Sequence, residues 1–201
     1  MDKYGLTRAP MDFGSPKWGL GVKTNAYRLT KKMTGKGSTH KDVVVKLLFP
    51  DAVPALRLLP KSYKWARPLV DRYGKPDGVT WHHAACANCT ADDVHRWHLS
   101  NGWSGFAYHF FVDKEGRVWR GRPENKLGGH ALGASRWIGV CFEGDFEKEQ
   151  MGVKQLAAGR ALHRYLHAKY GVQDRKHRDM PGNSTSCPGR YFPYHTIVST
   201  K

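Results

Sequence analysis

A chain of 201 residues with 40% hydrophobic side chains and seven tryptophans carries enough apolar material for one well-buried domain, which excludes a disordered polymer. Its formal charge of +16 is uneven: 16 basic against 5 acidic side chains give +11 in residues 1–75, and 17 against 12 give +5 in residues 76–201. Such a field attracts polyanions, whether nucleic acid, anionic lipid or the charged polymers of a bacterial wall, and does not choose among them.

No stretch approaches the roughly 20 apolar residues of a membrane-spanning helix. The most apolar run, Val43 to Leu59, is interrupted by Lys46, Asp51, Arg57 and two prolines. The segment Met1 to Arg8 lacks the apolar core of a secretory signal. Four cysteines are too few for a disulfide framework.

Residues 1–75 are rich in Gly, Lys and Pro, with one expected helix around His40 to Leu48 and then Pro50, Pro54, Pro60 and Pro68. They read as a basic N-terminal extension or a small accessory subdomain, and residues 76–201 as the main domain. Gly78 to His82 has strand character and enters a loop through Ala84-Ala85-Cys86. Thr90-Ala91-Asp92-Asp93 is a capping-box-like start for a helix that Asn101-Gly102 should stop. Phe106 to Val112 and Arg117 to Arg120 flank Asp113-Lys114-Glu115-Gly116, a hairpin signal. Trp137 to Phe142 is another strand-like run. From Val153 to Tyr170 the pattern is helical, with Ala158, Ala161, Leu162, Tyr165 and Leu166 opposite Arg160, His163, Arg164 and His167, and Gly171 ends it. Strands interleaved with helices predict an α/β domain in which a mixed β-sheet is flanked by helices.

Several side chains invite chemistry. His163 and His167 have the spacing of a zincin helix, but Arg164 stands where that motif needs Glu, so the pair reads as a solvated face. His40, His95 and His195 read as surface or packing residues. Cys86 and Cys89 form an isolated CxxC, read as a local disulfide or two inert thiols, and Cys141 reads as core. His82, His177 and Cys187 stand apart, because two imidazoles and a thiolate are ligands that zinc prefers, and three protein ligands leave a fourth position for water. Spacing alone leaves open a metal site or a buried histidine beside a free thiol.

Five motifs bear on that choice. Trp97-His98-Leu99-Ser100-Asn101-Gly102-Trp103 with Tyr108-His109-Phe110 is similar to the WHxxxGWxxxxYHF stretch of type 2 N-acetylmuramoyl-L-alanine amidases. These zinc enzymes are homologous to peptidoglycan-recognition proteins and include small phage amidases. Gly129 to Gly133 resembles their GxHAxG turn, Ile138 to Phe146 their IGIxFEGDF strand, and His177-Arg178-Asp179 with Cys187-Pro188-Gly189 their HRD and CPG motifs. The motifs keep the family order over residues 78–190.

The resemblance implies an amidase-like α/β fold and one zinc ion held by His82, His177 and Cys187. It implies hydrolysis of the amide between N-acetylmuramic acid and L-alanine, with bacterial peptidoglycan as the partner. Tyr108 matches a tyrosine facing the metal, and Thr185 falls where the family places a Lys or Thr that assists the oxyanion. His130 matches a groove residue, and Arg122, Trp103 and Arg136 are further substrate-binding candidates. The loop from His177 to Cys187 is two residues longer than usual, and Arg136-Trp137 replaces a common Asn-Ser pair. Relatives that use a strand glutamate carry it where Cys141 stands, which favours chemistry through Tyr108 and leaves Glu143 structural.

The expectation is a monomeric phage endolysin made in the host cytoplasm and acting at the wall after release, with no specific nucleic acid. Its basic first third either tethers the protein to anionic wall polymers or packs on the main domain through Trp18, Val43 to Leu48, Leu56 to Leu59 and Trp65, and its large apolar residues favour packing. The alternatives are a protein that recognises peptidoglycan without cutting it, which typically lacks the metal cysteine, and a nucleic-acid binder, for which no signature beyond charge exists.

Overall fold

In the computed structural model, residues 56–199 are described. Strands β1 (Leu58–Leu59), β2 (Gly78–His83), β3 (Phe110–Val112), β4 (Val118–Arg120), β5 (Ile138–Phe142) and β6 (Gln173–Lys176) form one sheet in the order β1-β4-β3-β5-β2-β6. Only the β3–β4 hairpin is antiparallel; the other four pairings are parallel, so the sheet is mixed, as expected. Helices α1 (Ala91–Ser100), α2 (Val153–Tyr170) and α3 (Tyr194–Val198) flank it, with a 3₁₀ turn at His177–Asp179.

The alternation of β2 assigns its two faces. Val79 and Trp81 join Phe110, Val112, Ile138, Val140 and Phe142 in a core closed by Leu162 and Leu166 of α2 and Ile197 of α3. Burying each such leucine contributes about 1.5–3 kcal/mol. On the opposite face, Phe111 and Cys141 pack with Ala91 and Val94 of α1. His82 lies in register with Cys141 and therefore faces the α1 side.

Local signals set the helix ends. Thr90 accepts from the Asp93 N–H while the Asp93 carboxylate accepts from the Thr90 N–H, a closed capping box. Gly171 ends α2 at φ 60°, the left-handed conformation that favours glycine. β3 is shorter than its apolar run because the Phe106 and Ala107 N–H groups donate to His95 Nδ1 and His98 Nδ1 instead of to a neighbouring strand.

Residues 56–75 belong to the same compact unit as the rest of the described chain. Leu56 and Leu58 pack on the first core, and Tyr63 and Trp65 on the second. The boundary expected at 75 therefore falls inside the unit, because β1 pairs with β4 and the Tyr63 ring stacks on Phe106 at 5.2 Å. The helix expected at His40 to Leu48 lies outside the described residues.

Candidate metal centre

His82 sits near the carboxyl end of β2, and His177 opens the turn that follows β6. The two strands are parallel neighbours, so their ends deliver both imidazoles to one place, with ring centroids 4.6 Å apart. Cys187 arrives from the loop beyond, its Sγ 3.8 Å from His82 Nδ1. That loop is fastened to His177 by the Arg178 N–H donating to the Cys187 carbonyl. The three ligand atoms lie within 4.8 Å of one another. A tetrahedral zinc with Zn–S about 2.3 Å and Zn–N about 2.0 Å holds such a pair about 3.5 Å apart, so the donor set fits zinc closely.

Hydrogen bonds decide which nitrogens face inward. His130 Nε2 lies 3.1 Å from the Trp137 carbonyl, which can only accept, so that nitrogen donates. Burial pushes the His130 pKa down to about 3, keeping the ring neutral, and its Nδ1 therefore accepts from His82 Nε2 at 2.9 Å. His82 is left with its Nδ1 lone pair aimed at Cys187. His177 follows the same logic: its Nε2 donates to Asn183 Oδ1 at 3.0 Å, leaving Nδ1 unprotonated. Asn183 is oriented in turn by its amide nitrogen, which donates to the carbonyls of Leu132, Met180 and Pro181. Desolvation lowers the pKa of His82 and of His177, so both stay neutral as metal ligands must. The same desolvation pushes the Cys187 thiol up to about 12, so ion binding must displace its proton.

Tyr108 stands beside the cluster, half-buried, its ring centroid 5.0 Å from that of His82. Burial raises its pKa well above 10, so its hydroxyl remains a donor. Thr185 is exposed, and its Oγ1 accepts from the Cys187 N–H at 3.2 Å, which holds the hydroxyl beside the ligand loop and leaves its proton to donate. Trp103 is exposed and rests on His98, with centroids 4.8 Å apart; His98 lies 5.6 Å from Tyr108.

The remaining groove candidates are placed differently. His130 is buried behind His82, clamped by backbone: a Cβ at Gly128 would come within 2.6 Å of its ring, and one at Gly139 would overlap it. It backs the His82 ring instead of lining a groove. Arg122 donates to the carbonyls of Phe106 and Leu127, both at 2.8 Å, so its guanidinium ties loops together. Arg136 pairs with Asp77 at 3.0 Å and donates to the carbonyls of Tyr73 and Lys75. It lines a shallow cavity of about 460 Å³ with Asp77 and Gln173, beside the opposite, amino-terminal ends of β2 and β6.

Other sequence readings separate cleanly. His83 turns to the α2 face, where it accepts from the Phe146 N–H at 3.1 Å. His95 is buried in packing, and His195 is exposed. All four cysteines are free thiols; Cys141 is fully buried, and burial pushes the Cys89 thiol up to about 12, which makes it inert. Glu143 accepts from the N–H groups of Cys89 and Lys114, a structural role. His163 is 2% exposed, which corrects its reading as part of a solvated face: its imidazole turns towards Asp174 and Trp81. Sequence reasoning missed Asn183 and the Trp137 carbonyl. The former had a faint signal, an amide in a loop between two ligands; the latter is backbone and had none.

Among known proteins, the family model described as N-acetylmuramoyl-L-alanine amidase matches residues 72–190, more than half of the chain. The chain belongs to the N-acetylmuramoyl-L-alanine amidase family. The endolysin of Enterobacteria phage T3 is 32% identical over 124 residues, covering 56% of this chain and 81% of the phage protein. The solved N-acetylmuramoyl-L-alanine amidase LysC from Clostridium intestinale aligns with a TM-score of 0.66 at 37% identity, over 71% of this chain and 95% of that one. Bumblebee PGRP-SA, at 21% identity and a TM-score of 0.63, shares the fold. Among the described residues, no helix of this amidase is long and apolar enough to cross a membrane.

Proposed function

We propose that this amidase hydrolyses the bond between N-acetylmuramic acid and L-alanine in peptidoglycan, with one zinc ion held by His82, His177 and Cys187. The observation that carries this reading is the convergence of two neutral imidazoles and one thiol within 4.8 Å, with His82 Nε2 engaged by His130 Nδ1 and His177 Nε2 by Asn183 Oδ1. Zinc, when bound, supplies a Lewis acid that acidifies water and polarises the scissile carbonyl.

The chain's own side chains do the rest. His130 and Asn183 hold the ligand rings in one tautomer, as outer-shell partners of metal ligands generally do. Tyr108, kept protonated by burial, donates a hydrogen bond that positions the reacting groups. Thr185 donates to the oxygen on which charge develops, a contact whose loss typically costs about 10²–10³ in rate. Trp103 offers an exposed aromatic face to the substrate beside Tyr108. Digestion of purified cell walls tests the reading: free α-amino groups on L-alanine should appear in step with loss of turbidity. New reducing sugar ends without those amines would contradict it.

The same reading makes the protein a monomeric endolysin of the wall, reached after release from the host cytoplasm. Its basic first third binds anionic wall polymers, so wall retention should fall steeply with salt, exposed charges being screened over about 8 Å at physiological ionic strength. Retention unchanged by salt would remove the tether.

A further inference from the structure

On the sheet face opposite His82, three more ligand-type side chains converge. His163 and His167 lie one turn apart on α2, with ring centroids 4.1 Å apart. Their Nε2 atoms reach one carboxylate oxygen of Asp174 on β6, at 3.1 and 2.7 Å. The three ligand atoms lie within 4.8 Å of one another. The other Asp174 oxygen accepts from Trp81 Nε1 at 2.8 Å, which turns the first oxygen towards the histidines. His163 is buried, whereas the His167 side chain keeps 35% of its surface exposed and opens the cluster to solvent.

We propose that His163, His167 and Asp174 form a second divalent-metal site that takes zinc. Two imidazoles and a carboxylate are zinc ligands, and a tetrahedral ion spaces them about 3.3 Å apart, so the 3.1 and 2.7 Å contacts to Asp174 would widen by about 0.2 and 0.6 Å to admit one. The indole bound to the far carboxylate oxygen is the outer-shell partner such a ligand requires. In the hydrogen-bonded arrangement each Nε2 carries the proton it donates to Asp174. With an ion between them, each Nε2 presents its lone pair and the proton moves to Nδ1 of the same ring. That rearrangement, and the lack of a thiolate, make this site the weaker of the two. Its role is mechanical: it rivets α2 to β6 three residues before His177, and so fixes the strand that delivers a ligand to the opposite face.

The test is equilibrium dialysis of the full chain against zinc sulfate, with metal counted per protein. The unaltered chain should bind two ions, Cys187→Ser one, His167→Ala one, and the double variant none, with circular dichroism confirming that each is folded. Asp174→Asn serves as a second variant if His167→Ala loses its fold. Cobalt(II) says which site is filled: a thiolate-to-cobalt charge-transfer band should appear in the unaltered chain and in His167→Ala, and only thiolate-free d–d bands in Cys187→Ser. Zinc should also raise the melting temperature of Cys187→Ser but not that of the double variant. A single ion carrying the thiolate band in the unaltered chain overturns the proposal, as does a folded Cys187→Ser chain that binds nothing. A single ion without that band would instead sink the Cys187 assignment and leave the second site standing.

Discussion

The two faces of β2 present the same residue type in opposite electronic states. On the α1 face, His82 and His177 are backed by groups that draw their Nε2 protons outward, so His82 Nδ1 meets Cys187 as a lone pair and His177 Nδ1 is left unprotonated beside them. On the α2 face, His163 and His167 have their Nε2 protons drawn inward by Asp174. What separates the thiol site, whose imidazole lone pairs already face inward, from the carboxylate site, whose histidines must first change tautomer to take an ion, is therefore the group that holds each Nε2 proton. Proximity of histidines does not decide it.

The sharpest way to break this comparison is to remove metal. A strong chelator should abolish wall lysis, and added zinc should restore it, while His167→Ala, which only loosens the strand leading to His177, should lower lysis far less. Lysis that survives chelation with no metal bound would erase the distinction between the faces.

Tyr108→Phe removes one hydroxyl from beside His82 and leaves the ligands intact. Zinc content should persist while turnover falls by about 10²-fold, the size of a lost transition-state contact. Full activity with full zinc would take the role away from Tyr108.

The backing partners come next in size. Asn183→Ala frees the His177 ring, and Gly139→Ala drives a methyl into the His130 ring that holds His82. Each should weaken zinc affinity by about 10–100-fold, the usual cost of losing an outer-shell partner. Chelator competition measures this, and unchanged affinity in both variants would show that tautomer control is unimportant here.

A last effect bears on stability and leaves catalysis at neutral pH untouched. His98 and His109 accept backbone N–H bonds from Ala107 and Gly139, and burial lowers the pKa of each to about 4. Unfolded, they titrate near 6.5, so between those values the unfolded chain binds more protons. Stability should therefore fall as pH drops from about 6.5 towards 4, by up to about 1.4 kcal/mol per unit for each histidine. Denaturant midpoints across that range check the sign, and a flat profile would deny it.

Legibility in the sequence followed the same division. α1, α2 and β5 could be read because capping, a left-handed glycine and apolar runs are local signals. β6 could not: Gln173-Asp174-Arg175-Lys176 is a polar edge strand, held by pairing with β2 and marked by no hydrophobic pattern. The convergence of His82, His177 and Cys187 was legible because zinc chemistry names those residue types, and the fold brings the three within 4.8 Å. The groove residues were not, because an arginine's partners depend on which carbonyls the fold brings near it: Arg122 and Arg136 were claimed by backbone and by Asp77. His163 was misread for a similar reason, since the Asp174 that draws it inward sits on a strand with no sequence signature.

The most direct test of the central claim is the Cys187→Ser variant, assayed for its cobalt(II) spectrum and for wall lysis in the same preparation. The account predicts loss of the thiolate-to-cobalt band together with lysis at background, in a chain that remains folded. A Cys187→Ser protein that kept both the band and the lysis of the unaltered chain would contradict it.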